Sequence, residues 1–473
     1  MIDGLRPYAK MKPSDLPWLG DLPVNWEVHR AKYSFREIDD RSEQGDEELL
    51  SVSHKTGVTP RSQKNITMFM AESYQGHKVC RPGDVIVNTM WAWMAAIGVS
   101  GHVGIVSPAY GIYRPRSTNL FEPRYLDYLL RTEAYRAEYV RSSRGITTSR
   151  LRLYPPDFLN IPFVQPPLDE QRLIVRFLDW HGAQTAKLIC AKKKIIALLN
   201  EQKQAIIHRA VTRGLDPNVR FKPSGIPWLG DVPVGWEVVP FKRRIGFQEG
   251  PGIMAVDFRD EGIPLLRISG LHSDEATLDG CNFLDPDKVA KHWSHFAIRT
   301  GDYLLSSSAS TGKICQAGDL VEGAIAYTGI IRLWPLDGDL FMPFLKYLIQ
   351  APAFQGQLDA MKSGVGIEHF GPTHLKQIVI CLPTGPEQQA IVRYIEKATS
   401  GLAASRIAVD REIALIQEFR ARLIADVVTG KLDVGPLAAN LPEITEIESI
   451  DEVAEDHGLG EAVDDAENEE VAA

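Results

Sequence analysis

At 473 residues the chain exceeds what one hydrophobic core usually serves, so two or more globular units are expected. Its 44% hydrophobic and 24% charged content is that of soluble globular protein, with no apolar run long enough for a membrane span and no signal peptide before Lys12. The net charge of −9 is concentrated at one end: residues 441 to 473 hold 13 acidic and no basic side chains, leaving 52 basic against 48 acidic groups elsewhere. That mildly basic body is compatible with nucleic acid without being diagnostic of it. The five cysteines (Cys80, Cys190, Cys281, Cys315, Cys381) are scattered and never at C-x-x-C spacing, which argues against both a disulfide framework and a zinc site and makes a reducing cytoplasm the default.

Residues 12 to 28 recur at 222 to 238 with 13 of 17 positions identical, around Pro17-Trp18-Leu19-Gly20-Asp21 and Pro227-Trp228-Leu229-Gly230-Asp231. Its prolines forbid a helix or central strand, so an extended, turn-rich strap is expected, with Trp18, Trp26, Trp228 and Trp236 packed into cores. A second repeat pairs residues 170 to 216 with 387 to 433, from Glu170-Gln171 and Glu387-Gln388 to Leu215-Asp216 and Leu432-Asp433. Two copies are too few for a solenoid and define a pseudo-two-fold tandem object.

After the first strap, Leu49 to Ser53, Val85 to Asn88 and Gly104 to Val106 read as strands, and Pro123 to Val140 as an amphipathic helix, giving a mixed α/β (α+β) domain. Residues 141 to 152 carry four arginines and five hydroxyl side chains around Gly145, a loop suited to phosphates and base edges or, more plainly, to solvent. Asp169 can cap a helix running to Thr212. Beyond the second strap the same plan returns: Arg299-Thr-Gly-Asp302 mirrors Arg81-Pro-Gly-Asp84, and Phe344 to Ile349 mirrors Tyr125 to Leu130. Thr384-Gly-Pro-Glu387 has capping-box spacing, and Ile395, Leu402, Val409, Ile416 and Leu423 recur every seven residues, the seam of a coiled coil. Leu178, Thr185, Lys192, Leu199 and Ile206 form the matching line, so the two long helices are expected to pair antiparallel. The acidic tail reads as unstructured.

A catalytic constellation is missing. Ala309-Ser-Thr-Gly-Lys313-Ile314 lacks the first glycine and the Ser/Thr of a phosphate loop, and Tyr154-Pro-Pro-Asp-Phe158 lacks the asparagine of the amino-methyltransferase motif. His292 and His295 have no obvious third ligand, so no metal site is assigned.

Two divergent α/β regions alternating with two similar long helices, each opening on Pro-x-x-Glu-Gln or Pro-Glu-Gln, and the Val211-Thr-Arg-Gly-Leu-Asp run leading into the second strap, resemble the specificity subunit of type I restriction-modification enzymes up to about residue 433. The resemblance implies the N-terminal strap at 1–28, target recognition domains at 29–165 and 239–382, spacer helices at 166–212 and 383–433, the repeated strap at 213–238 and an acidic tail at 434–473. It further implies that each domain reads half of a bipartite site in double-stranded DNA, and that the helices act as a ruler and dock two methyltransferase subunits, which restriction subunits join. S-adenosylmethionine, ATP and magnesium would sit on those partners, and this chain would bind no cofactor and catalyse nothing. From their chemistry and loop positions, Ser53, His54, Lys55, Arg144, Thr147, Thr148 and Arg150 in the first domain and Arg267, Ser269, Lys362, Ser363 and His369 in the second are the candidate DNA contacts. The rival readings are a coiled-coil scaffold that recruits proteins without touching DNA, and a self-contained DNA methyltransferase.

Overall fold

The computed structural model describes residues 5–63, 73–146, 150–226, 229–272, 275–308, 312–361 and 370–442; the acidic tail from residue 443 and Trp228 lie outside them. The chain falls into two compact units, Met1–Lys194 with Asp410–Ala473, and Ile195–Val409.

Each unit is built on a four-stranded antiparallel sheet with one strand order. In the first unit that order is Phe35–Ile38, Gly111–Pro115, Val85–Val87, Ile97–Val99. In the second it is Ile245–Glu249, Ile330–Pro335, Tyr303–Ser306, Ile314–Gln316. Alternation along a strand sends neighbouring side chains to opposite faces. Val85 and Val87 accordingly join the core under the helices while Ile86 joins a smaller cluster with Ile38, Leu50, Val52 and Ile112. Tyr303 and Leu305 separate from Leu304 in the same way. The Arg-x-Gly-Asp turn before each third strand delivers a buried carboxylate. Asp84 accepts from the Arg81 amide at 2.8 Å and from the Arg114 guanidinium at 2.8 Å, and Asp302 accepts from the Arg299 amide at 2.9 Å and from Arg332 Nε at 2.9 Å.

Beyond this scaffold the units differ. The first adds a hairpin of Leu50–Ser53 with Gly57–Pro60 and a pair of Lys78–Cys80 with Gly104–Val106. The second adds a four-stranded sheet of Phe258–Arg259, Asn282–Leu284, Ile263–Leu266 and Ile325–Ala326, whose last two strands run parallel.

The expected helix from Pro123 to Val140 is two helices, Pro123–Leu130 and Glu133–Ser142. Thr132 breaks it, because its hydroxyl bonds the Leu129 carbonyl at 2.9 Å and accepts from the Tyr135 amide, the arrangement of an N-cap. The Tyr139 hydroxyl satisfies the freed Leu130 carbonyl at 2.9 Å. In the second unit Pro352 makes the same break between Met342–Gln350 and Pro352–Met361.

The straps are short hairpins of identical register, Met11–Pro13 on Asp21–Pro23 and Phe221–Pro223 on Asp231–Pro233. Each is latched to the start of a long helix. Trp26, fully buried, donates its indole N–H to Glu170 at 2.9 Å, and the same carboxylate accepts from Tyr8 at 2.6 Å and Asn25 at 2.9 Å. Trp236 donates to Glu387 at 3.1 Å. The neighbouring glutamines bind the preceding loops: Gln171 accepts from the Glu122 amide and donates to Pro166 O and Leu120 O, and Gln388 does the same with Phe341, Pro383 and Asp339. Trp18 packs edge-on against Tyr135. Asp169, expected as a cap, lies inside the first turn of a helix that starts at Leu168; its carboxylate is exposed and pairs with Arg172.

The long helices are Leu168–Arg213 and Gly385–Val428, and each contributes one part to each unit. Within the first unit they run antiparallel, His181 meeting Phe419 and Lys192 pairing with Glu412. Leu178, Thr185 and Leu423 are buried there and Ile416 is half-buried. Within the second unit Ile395 and Ile207 are fully buried, whereas Leu199, Ile206, Leu402 and Val409 are half-buried. The helix ends close similarly. Gly214 stands at φ +72° beside Trp236 and Glu387, and Gly430 at φ +79° beside Pro23 and Trp26, with Asp433 bridging back to Arg6.

Breaking a buried ion pair strands one charge, at about 3–5 kcal/mol, whereas an apolar replacement of both partners is far better tolerated. Asp302→Ala is therefore expected to lower the midpoint of thermal unfolding sharply, and Asp302→Ala combined with Arg332→Met to recover most of the loss; calorimetry on the three proteins checks this.

Candidate nucleic-acid interface

The candidate contacts of the first unit occupy two loops. Ser53, His54 and Lys55 lie where the Leu50–Ser53 strand turns toward Gly57, with the Lys55 amide bonded to Ser53 Oγ at 3.1 Å. Lys55 is exposed, and Ser53 and His54 are half-buried. The turn is gripped from below by Arg131, whose guanidinium donates to the His54 carbonyl at 3.2 Å and to that of Lys55, and which stands 3.5 Å from Asp127. Asp127 also accepts from the Val99 amide at 3.0 Å. Gly57, at φ +72°, and Gly98 lie so close that a side chain at Gly98 would meet the Gly57 backbone at 3.2 Å. Sequence reasoning missed Arg131 and Asp127 because they lie on a helix far along the chain from the turn they hold. Their i, i+4 spacing was the available signal.

Arg144 and Arg150 lie on the second loop, closed by a two-way backbone bridge between Arg144 and Arg152. The Arg144 side chain is mostly exposed and is oriented by Asp157 at 2.8 Å; Arg150 is exposed, and Ile146 is fully exposed. Thr147 and Thr148 lie outside the described residues. A neighbouring loop, residues 88 to 96, carries Trp91 and Trp93 stacked on one another at 5.8 Å, an aromatic pair the sequence reading passed over.

In the second unit, Arg267 is half-buried, lying 4.2 Å over the Tyr327 ring with Asn282 accepting from it at 3.3 Å. Such stacking fixes the guanidinium plane while leaving it able to donate further. Ser269 is exposed and donates to the Asp279 carbonyl at 2.8 Å. The Asp279 carboxylate is itself held below the usual range by the hydrogen bond from His272. Lys362, Ser363 and His369 lie outside the described residues, as does half of the phosphate-loop-like segment, residues 309 to 311. Among the described residues no group of three or more His, Cys, Asp or Glu could hold a metal ion; His292 and His295 are both exposed. No helix among them is long and apolar enough to cross a membrane.

Each unit thus sets a four-stranded sheet of one strand order, latched to the start of a long helix, beside exposed loops that differ between the units. The chain is similar in sequence to specificity subunits of type I restriction enzymes. It is 26% identical over 281 residues to the MjaVIII specificity subunit of Methanocaldococcus jannaschii, covering 59% of this chain and 63% of that one. It is 22% identical over 362 residues to the EcoKI specificity subunit of Escherichia coli, covering 74% and 75%. A solved chain from work on complex assembly and conformational transition of the type I R-M system shares its fold, at a TM-score of 0.58 and 18% identity over 86% of this chain and 98% of that one. No family model matches the chain.

Replacing Arg131 by Met keeps its bulk and removes its donors. Hydrogen bonds from a charged group are worth about 1.5–3 kcal/mol, so amide exchange in residues 54 to 57 is expected to quicken roughly tenfold or more, with the Val85–Val87 strand unaffected. Exchange measured by mass spectrometry decides it.

Proposed function

We propose that the chain is the non-catalytic, DNA-reading specificity subunit of a type I restriction-modification complex, working in the cytoplasm. The observation that carries this reading is the duplication of scaffold and latch without duplication of the loops: the two sheets share strand order and buried Arg–Asp pair, while the arginine-rich sequence at 141–152 differs in chemistry from its counterpart at 362–369. A frame kept twice with its exposed loops altered suits two readers of unlike half-sites. The target recognition domains are then residues 29–165 and 239–382, and the long helices with their straps hold them.

A reader pair on one face of B-DNA needs a separation near one helical turn, roughly 34 Å, which a helix sets and a flexible linker does not. Continuous helices of 46 and 44 residues suit that ruler role. Their exposed apolar side chains, Leu188, Leu415 and Phe419 in the first unit and Leu198 and Ile407 in the second, suit the docking of two methyltransferase subunits. Those subunits would bring S-adenosylmethionine, and restriction subunits ATP and magnesium.

Exchanging residues 29–165 for the corresponding region of another specificity subunit is expected to change one half of the methylated sequence and leave the other, as read by methylation mapping in a host genome. A change in both halves would contradict separate readers. Removing one heptad from each long helix is expected to alter the length of the unread spacer. DNA affinity of the assembled complex that fails to fall steeply with salt would move the reading to a scaffold.

A further inference from the structure

Loop 88–96 of the first unit connects the Val85–Val87 and Ile97–Val99 strands and is built to hold its two tryptophans in place. Buried Asn88 accepts from the Met90 amide at 3.2 Å and donates to the Tyr110 hydroxyl at 3.0 Å. Trp93 donates its indole N–H to the Met90 carbonyl at 3.0 Å, and Ala95 closes the turn at φ +63°, where a non-glycine residue is strained. The rings of Trp91 and Trp93 lie 20° from parallel, and both side chains keep part of their surface in solvent. The loop adjoins the arginine hairpin: Leu153 N bonds Thr89 O at 3.0 Å, and the Glu133–Ser142 helix packs on Ala92–Met94. Of the four arginines at 141, 144, 150 and 152, Arg141 pairs with Glu138 and Arg144 with Asp157, so this adjoining segment carries more positive than negative charge.

We propose that the Trp91–Trp93 pair is the apolar part of the first unit's DNA reader, seating thymine methyl groups and deoxyribose faces of a duplex whose phosphates Arg144 and Arg150 hold. This rests on the DNA-reading function proposed above. The chemistry favours methyl and sugar contact over hydrogen-bonded base readout because the Trp93 indole N–H is already used inside the loop, leaving its ring to offer carbon. The excess positive charge of the adjoining segment matches a polyanion. The corresponding loop of the second unit, from Ser307 to Lys313, has no aromatic residue, so the dependence belongs to one half-site.

The test uses the full chain assembled with its methyltransferase subunits and duplexes carrying the mapped site. Trp91→Ala with Trp93→Ala is expected to weaken binding roughly 5- to 50-fold without changing the salt slope, and Trp91→Phe with Trp93→Phe to retain most of the affinity. Arg144→Ala with Arg150→Ala should instead reduce the slope by about two. Replacing thymine by uracil, which lacks only the methyl group, in the half-site read by the first unit should weaken the wild-type complex several-fold and the alanine variant hardly at all. Wild-type affinity in a folded alanine variant, or indifference of the wild-type complex to uracil in that half-site, overturns the proposal; the uracil measurement needs no variant and stands if the alanine protein fails to fold. A wild-type complex with no salt-dependent DNA affinity overturns the DNA-reading function itself, a result distinct from either.

Discussion

A carboxylate at the start of each long helix, accepting a hydrogen bond from a buried tryptophan, is the contact on which the rest of the architecture depends. Glu170 and Glu387 sit where the helix dipole favours negative charge, and each draws a proline-rich strap onto the helix through Trp26 or Trp236. The adjacent glutamines tie the loops leaving the α/β region to the same turn. A single Glu-Gln pair thereby joins strap, α/β region and helix, which is why that dipeptide marks the second repeat so clearly.

The first unit carries this further than the second. Its carboxylate takes three donors, from Tyr8, Asn25 and Trp26, and burial with that contact pushes the Tyr8 hydroxyl well above its ordinary range. The added donors come from the N-terminal segment, which in this unit also meets the residues following the second long helix through Arg6 and Asp433. In the second unit the equivalent junction is an unbroken chain from Gly214 through the strap.

Much of this was legible in one dimension. The straps, the two long helices (the first to within two residues, the second ending at Val428, five residues before the expected 433) and the matched Arg-x-Gly-Asp turns follow from proline content, period and repetition, which are local properties. The break at Thr132 was missed because the apolar pattern continues across it and only the hydroxyl of one residue decides it. Asp169 looked like a cap until the helix proved to start one residue earlier, at Leu168. Arg267 read as a free loop arginine, yet it lies stacked on Tyr327, 60 positions away in sequence and beyond the reach of any periodicity.

The sequence by itself determined the twofold plan and the placement of each rod and strap, since these depend on residue spacing within a few turns of chain. Tertiary structure alone decided that the two divergent regions share one strand order, that Arg131 grips the Ser53–Gly57 turn, and that the Trp91–Trp93 loop lies against the arginine hairpin. Those relations join residues tens of positions apart through burial and hydrogen bonding, and such pairings acquire an energy only once the chain has closed around them.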